Sequence, residues 1–240
     1  MTWAVTTAEQ QAVLMLHRTR DLLVRQRTML VNALRGHMAE MGVIAPQGIG
    51  RVGDLVAALL GEAETTMPKL ARYALRGLAA ELEILGNRVK EIEVAILAWH
   101  KDNEASCRLA TIPGIGPITA SAIVATVTDP AQFHSARQFA AWIGLVPKQN
   151  SSGGKKRQGG ISKQGDRYLR RLLVLGATAV IRHARTKITA ETAWLRGVLD
   201  RRPVRLASVA QANKTARIVW ALLARGESYR SPVVVQAAAA

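Results

Sequence analysis

Residues 148–166 read KQNSSGGKKRQGGISKQGD, placing three hydroxyls, Ser151, Ser152 and Ser162, among cations at Lys155, Lys156, Arg157 and Lys163. Four glycines between positions 153 and 160 let the backbone come close to a ligand, and Lys and Arg side chains grip phosphate through charge-assisted hydrogen bonds. A serine beside glycine in such a loop could attack phosphorus while the cations neutralise the charge that builds up. The same composition also suits a loop that only grips phosphates, or a surface segment. Arg167, Arg170 and Arg171 follow at once, at the start of an apolar helical run, and would line the same surface. Upstream, residues 109–117 read LATIPGIGP and lead into a helical run from Ile118 to Val127. This resembles a helix-hairpin-helix, in which Gly114 and Gly116 would let the chain turn tightly and aim backbone N–H groups at a DNA phosphate, without regard to base sequence. The competing reading is an ordinary Pro-Gly turn between packed helices.

Other chemistry is sparse. The acids after residue 107 are Asp129, Asp166, Glu191, Asp200 and Glu227, too scattered to define a metal cage, and Glu81, Glu83, Glu91 and Glu93 read as solvated charge. Cys107 is the only cysteine, which leaves no internal disulfide and no thiolate zinc site, and it is expected as a buried thiol. Phe133, Phe139 and Trp142 read as core anchors, His134 as a surface or capping residue, and Trp220 as core. The formal charge of +16 is unevenly placed: residues 1–107 hold 12 basic and 12 acidic side chains, residues 108–240 hold 21 and 5. Such asymmetry points to a neutral assembly half joined to a half that binds a polyanion, nucleic acid above membrane surface. No apolar run reaches the roughly 18 residues of a membrane span, and no signal-peptide pattern opens the chain.

The elements that must position these groups are helical. Hydrophobic residues make up 49% of the chain and aromatics 4%, with Leu, Ala and Val dominant, so a packed, mostly α fold is expected. Thr6 and Thr7 precede Glu9 and Gln10 at capping-box spacing, predicting a first helix to about Arg35. Its stripe of Val13, Leu16, Leu23, Leu30 and Leu34 is interrupted by Thr19, Arg20, Gln26 and Arg27. Arg18, Arg20, Arg25 and Arg27 either solvate one face or touch a nucleic-acid backbone. A Gly-rich break from Gly42 to Gly53 and a short helix from Asp54 to Leu60 come next. Leu78, Leu82, Leu85, Val89, Ile92, Ile96 and Trp99 then alternate spacings of four and three, the seam of a coiled coil that needs either the first helix or a second copy as partner. Further on, a basic helix is expected over Val204 to Arg225. The organisation is thus a long helical hairpin or coiled coil over 1–105, a compact basic helical domain with the helix-hairpin-helix-like motif over 106–230, and a flexible tail over 231–240.

The strings IPGIG, ARQFAAWIGLVP and SSGGKKRQGGISKQGDRYLRRLLVLGA, in that order, resemble the C-terminal domain of the insertion-sequence-110 group of transposases, relatives of the Piv and MooV invertases. The helical region before them resembles the same group's linker, so the likeness covers most of residues 7–190. It implies that Ser152, or Ser151 one position off, is a nucleophile that joins DNA covalently during strand exchange. It also implies DNA and a guide (bridge) RNA as partners, a homo-oligomer through the coiled coil, and a cytoplasmic, nucleoid-associated setting in a prokaryote. In that group the serine works with an N-terminal RuvC-like domain whose four acids bind divalent metal. The present sequence is expected to be without that domain, to bind no cofactor alone, to need Mg²⁺ only with the acidic domain, and to be incomplete by itself. The alternative is a non-catalytic helix-hairpin-helix DNA-binding protein, or an RNA-binding assembly module that uses the arginines of the first helix.

Overall fold

The computed structural model describes residues 7–44, 48, 51–61, 67–150, 158–186 and 190–230. It is mostly helical: α1 (Ala8–Glu40), α2 (Val52–Leu60), α3 (Lys69–Asp102), α4 (Glu104–Ala110), α5 (Pro117–Thr126), α6 (Ala136–Trp142), α7 (Arg167–Thr186), α8 (Ala190–Leu199) and α9 (Val204–Arg225). A 3-10 turn covers Pro130–Gln132, and β1 (Pro147–Gln149) pairs antiparallel with β2 (Gln158–Ile161). The chain forms two compact units, one of residues 15–95 and one of residues 1–14 with 96–240.

In the smaller unit α1, α2 and α3 share a core of Val31, Leu34, Met38, Leu55, Met67, Leu75 and Leu82. The α3 seam is the predicted one: Leu82, Leu85 and Val89 are buried, and Leu78 and Ile92 are half-buried. The α1 seam differs from the expected stripe. Positions 17, 20, 24, 27, 31, 34 and 38 alternate spacings of three and four and none is exposed, so Arg20 and Arg27, two of the residues that interrupted the apolar stripe, are in the seam, while Thr19 and Gln26 are exposed. His17 is 1% exposed, and burial first, then the Arg20 charge, lower its pKa from 6.5 to about 4. Arg20 donates from Nε and Nη2 to Glu93 Oε1 at 2.8 and 2.6 Å, so Glu93 is an ion-pair partner and not merely solvated charge. The Nε of Arg27 is buried without a hydrogen-bond partner among the described residues. Arg18 and Arg25 are exposed, the latter beside Asp21.

The larger unit opens with the predicted capping box: Thr7 N–H donates to Gln10 Oε1 at 3.0 Å, and Gln10 N–H to Thr7 Oγ1 at 3.1 Å. Here Trp99 Nε1 donates to Glu9. Asn103 caps α4 by accepting from Ser106 N–H, and the Ser106 hydroxyl in turn meets His100 Nδ1 at 2.7 Å in a buried pair. Cys107, expected inside, is exposed, because the inward face of α4 is taken by Ser106 and Leu109. Helix α5 is buried on all sides from Thr119 to Ala125, and its small residues let α4, α6, α7 and α9 close around a core that includes Ile123, Phe139, Ile143, Leu169, Leu173 and Ala216. Phe133, Phe139 and Trp142 cluster with ring centroids 5.1 to 5.8 Å apart; Phe133 and Phe139 are buried as core anchors, whereas Trp142, expected with them, is 36% exposed at the C-terminal end of α6. His134 is exposed, and half-buried Trp220 donates to Pro130 O. A smaller cluster of Ile181, Ala184, Leu195 and Ala207 joins α7, α8 and α9.

Candidate nucleic-acid interface

The Gly114 turn joins α4 to α5. Gly114 has φ +86°, a conformation that suits glycine, and Gly116 is the exposed N-cap of α5 with Pro117 at the first helical position. The turn lies directly on α7. A Cβ built on Gly176 would sit 1.9 Å from the Gly114 carbonyl oxygen, so backbone touches backbone there. Two glycines far apart in sequence thus fix the hairpin against the helix that starts beside the serine-bearing loop.

A second close approach anchors the β-hairpin. Gly144 ends α6 with φ +80°, and Leu145 N–H reaches back to Ala140 O at 3.0 Å, a Schellman-type stop. Beyond β2, Ser162 N–H donates to Val146 O at 2.9 Å and Lys163 N–H to Gly144 O at 3.2 Å. A Cβ on Gly165 would lie 1.8 Å from Trp142 O, and one on Gly144 would lie 2.2 Å from Gln164 O. Arg170 completes the junction: its Nη1 donates to Ile143 O and Gln164 O, both at 2.7 Å. Asp166 then caps α7 by accepting from Leu169 N–H at 2.9 Å.

The cations expected at the interface therefore have different surroundings. Lys163 is exposed and holds φ 57°, a left-handed conformation that L side chains rarely adopt, while Arg167 is exposed on the first turn of α7. Arg170 is half-buried and spends its guanidinium on two carbonyls, and Arg171 lies 5.3 Å over the Tyr168 ring. Ser151, Ser152, Lys155, Lys156 and Arg157 lie outside the described residues; strands β1 and β2 flank that segment.

Another basic set, which reading along the chain did not assemble, borders β1 and β2. Arg202, Lys214 and Arg217, with Asn213 and Trp194, line a groove of about 790 Å³ that also touches Pro147, Gly159 and Gly160. Periodicity did place Lys214 and Arg217 on the last helix; only the packing of α8 and α9 beside the strands brings them to this groove. Among the described residues, no three of His, Cys, Asp and Glu gather closely enough to hold a metal ion. No helix of the described residues is long and apolar enough to cross a membrane.

Residues 106–192 match the family model for the transposase IS116/IS110/IS902 family. Over 227 residues the chain is 46% identical to a Pseudomonas aeruginosa protein described as a "Probable family 20 transposase", covering 94% of this chain and 67% of that one. It is 43% identical to the transposase for insertion sequence element IS1111A of Coxiella burnetii, covering 93% of this chain and 62% of the relative. A further relative is the transposase for insertion sequence element IS1328 of Yersinia enterocolitica, 39% identical over 92% of this chain and 65% of its own length. The chain thus spans about two thirds or less of the length of these relatives. With its glycine-built turn, its basic hairpin and this similarity along nearly all of its length, the chain belongs to the IS116/IS110/IS902 family of transposases.

Proposed function

We propose that this chain engages DNA as part of an insertion-sequence transposase and supplies Ser152 as the nucleophile of strand exchange. The observation that carries this reading is the similarity to transposases over more than nine tenths of the chain, together with a basic serine-bearing segment borne between two strands. In the step envisaged, the Ser152 oxygen attacks a backbone phosphorus. A phosphoserine ester forms as the bond from phosphorus to a deoxyribose oxygen breaks, and the serine proton passes to that leaving oxygen. Attack on the ester by the hydroxyl of another strand reverses the chemistry, releasing the serine and joining the new DNA. Lys155, Lys156, Arg157 and Lys163 would stabilise the charge on the phosphoryl oxygens, while Gly114, Gly116, Arg167, Arg170 and Arg171 would hold DNA or the surface that receives it.

The reading extends to a guide RNA as a second partner, to Mg²⁺ brought by a separate acidic domain, to a homo-oligomer and to a cytoplasmic, nucleoid-associated setting. Met15, Leu22 and Met29, exposed at sevenfold spacing along α1, support the oligomer, because a heptad stripe left uncovered in the monomer suits a second helix. The test is covalent DNA–protein adduct formation with Mg²⁺, using the chain alone and then with an acidic nuclease domain and candidate guide RNA supplied separately. The expected result is an adduct that needs the added components and is lost in Ser152→Ala with DNA binding unchanged. An adduct that survives Ser152→Ala but is lost in Ser151→Ala moves the nucleophile by one position. Salt-dependent DNA binding with no adduct in any combination favours the non-catalytic DNA-binding reading.

A further inference from the structure

The groove bordered by β1, β2, α8 and α9 combines features that a protein surface usually keeps apart. Its cations, Arg202, Lys214 and Arg217, have no carboxylate partner among the described residues, and no Asp or Glu lines it. Its walls nonetheless carry large apolar groups open to water: Trp194 is 43% and Leu206 55% exposed. Lys214 Nζ sits 4.5 Å from the Trp194 ring centroid, so the ammonium is held in place over an aromatic face and keeps donors for a further acceptor. Asn213, whose Nδ2 donates to Leu145 O, ties the groove to the chain two residues before β1. A second recess of about 510 Å³, bounded by Arg137 and Gln138, shares Pro147, Asn213 and Arg217 with the first, so the depression continues past Arg217 along β1.

Unpaired cations above an apolar, aromatic floor match a polyanion that also presents flat apolar faces. A duplex keeps its bases stacked inside and offers mainly phosphate and groove edges, whereas a single strand offers phosphate and uncovered bases together. We infer that this groove binds one unpaired polynucleotide strand, with Arg202, Lys214 and Arg217 on successive phosphates and Trp194 and Leu206 against bases. This rests on the transposase reading only for the role of the strand, which would lie beside the strands flanking the Ser152 segment; the binding itself follows from the groove.

The test is fluorescence anisotropy on the full chain with labelled oligonucleotides of about 20 nucleotides, longer than a single strand-binding site: single-stranded DNA, single-stranded RNA of the same sequence, and duplex DNA. Three variants are compared with the parent. The groove variant carries Arg202→Gln, Lys214→Gln and Arg217→Gln; the loop variant carries Lys155→Gln, Lys156→Gln and Arg157→Gln; the control carries Arg88→Gln, Lys90→Gln and Lys101→Gln on exposed α3 positions. Losing three strand phosphates should weaken binding on the order of 10- to 100-fold and flatten the salt dependence by about 2, while the control changes binding less than about twofold. Whichever of the DNA and RNA strands loses more affinity names the natural source. Should the groove variant fail to fold, the pair Arg202→Gln and Arg217→Gln, both exposed, replaces it. Unchanged strand affinity in the groove variant alongside a loss in the loop variant overturns the groove and leaves the transposase reading standing. A loss confined to duplex DNA also overturns it, and a parent chain that binds none of the three probes defeats both readings.

Discussion

Lowering the pH should loosen the pairing of α1 with α3, because His17 is in the seam as neutral imidazole. Its pKa falls from 6.5 to about 4 through burial and the neighbouring Arg20 charge. A histidine whose folded pKa is depressed contributes stability that is fully present above its unfolded pKa and is lost as pH falls toward the folded one, because the unfolded chain takes the proton first. With these two values, folding loses about 0.7 kcal/mol between about pH 7 and about pH 6 and about 1.8 kcal/mol by about pH 5. Burial also lowers the pKa of His100, so the total dependence is steeper than His17 alone gives. The difference between the parent and His17→Leu isolates the effect. Urea unfolding followed by far-ultraviolet circular dichroism at the two extremes should show the variant losing about 2 kcal/mol less than the parent on acidification. Equal losses in the two proteins would mean that His17 is solvated, and the polar seam described above would be wrong.

Two substitutions test the glycine contacts. Gly176→Ala places a methyl where the Gly114 carbonyl sits and should cost about 3 kcal/mol or more, whereas Gly197→Ala in α8, with open space around it, should be neutral or stabilise by up to about 1 kcal/mol; thermal melts of the two side by side decide it. Lys163→Gly should raise the melting midpoint by relieving a left-handed backbone worth about 1 kcal/mol, while weakening binding to the oligonucleotide probes through the lost cation.

The parts of the fold that were legible in the sequence were those encoded by neighbours in the chain. The α3 seam was readable because its apolar residues recur every three or four positions, and the capping box because both of its members are three residues apart. The α1 seam was misread because a count of apolar positions passes over His17 and treats Arg20 and Arg27 as interruptions; what makes Arg20 acceptable there is Glu93, 73 residues away. The Gly114 turn could be seen in the sequence, but Gly176 could not, since a glycine within an apolar helix shows its purpose only when another backbone lies on it. Counting charge placed the basic excess in the second half correctly. It did not separate Arg170, which ties two turns together, from Arg217, which stands exposed in a groove.

Helix α7 touches both glycine-built junctions, through Arg170 at the hairpin base and through Gly176 at the Gly114 turn. Six residues of α-helix separate them, which is a rise of about 9 Å. That helix therefore acts as a ruler. One residue inserted between the two marks would swing the far one by about 100° and shift it by about 1.5 Å, so both contacts could not be kept. The spacing between the turn and the hairpin is consequently set by helical pitch and not by a linker. Both marks are already occupied, Arg170 by two carbonyls and Gly176 by the Gly114 backbone, so what α7 holds at a fixed interval is the pair of turns themselves.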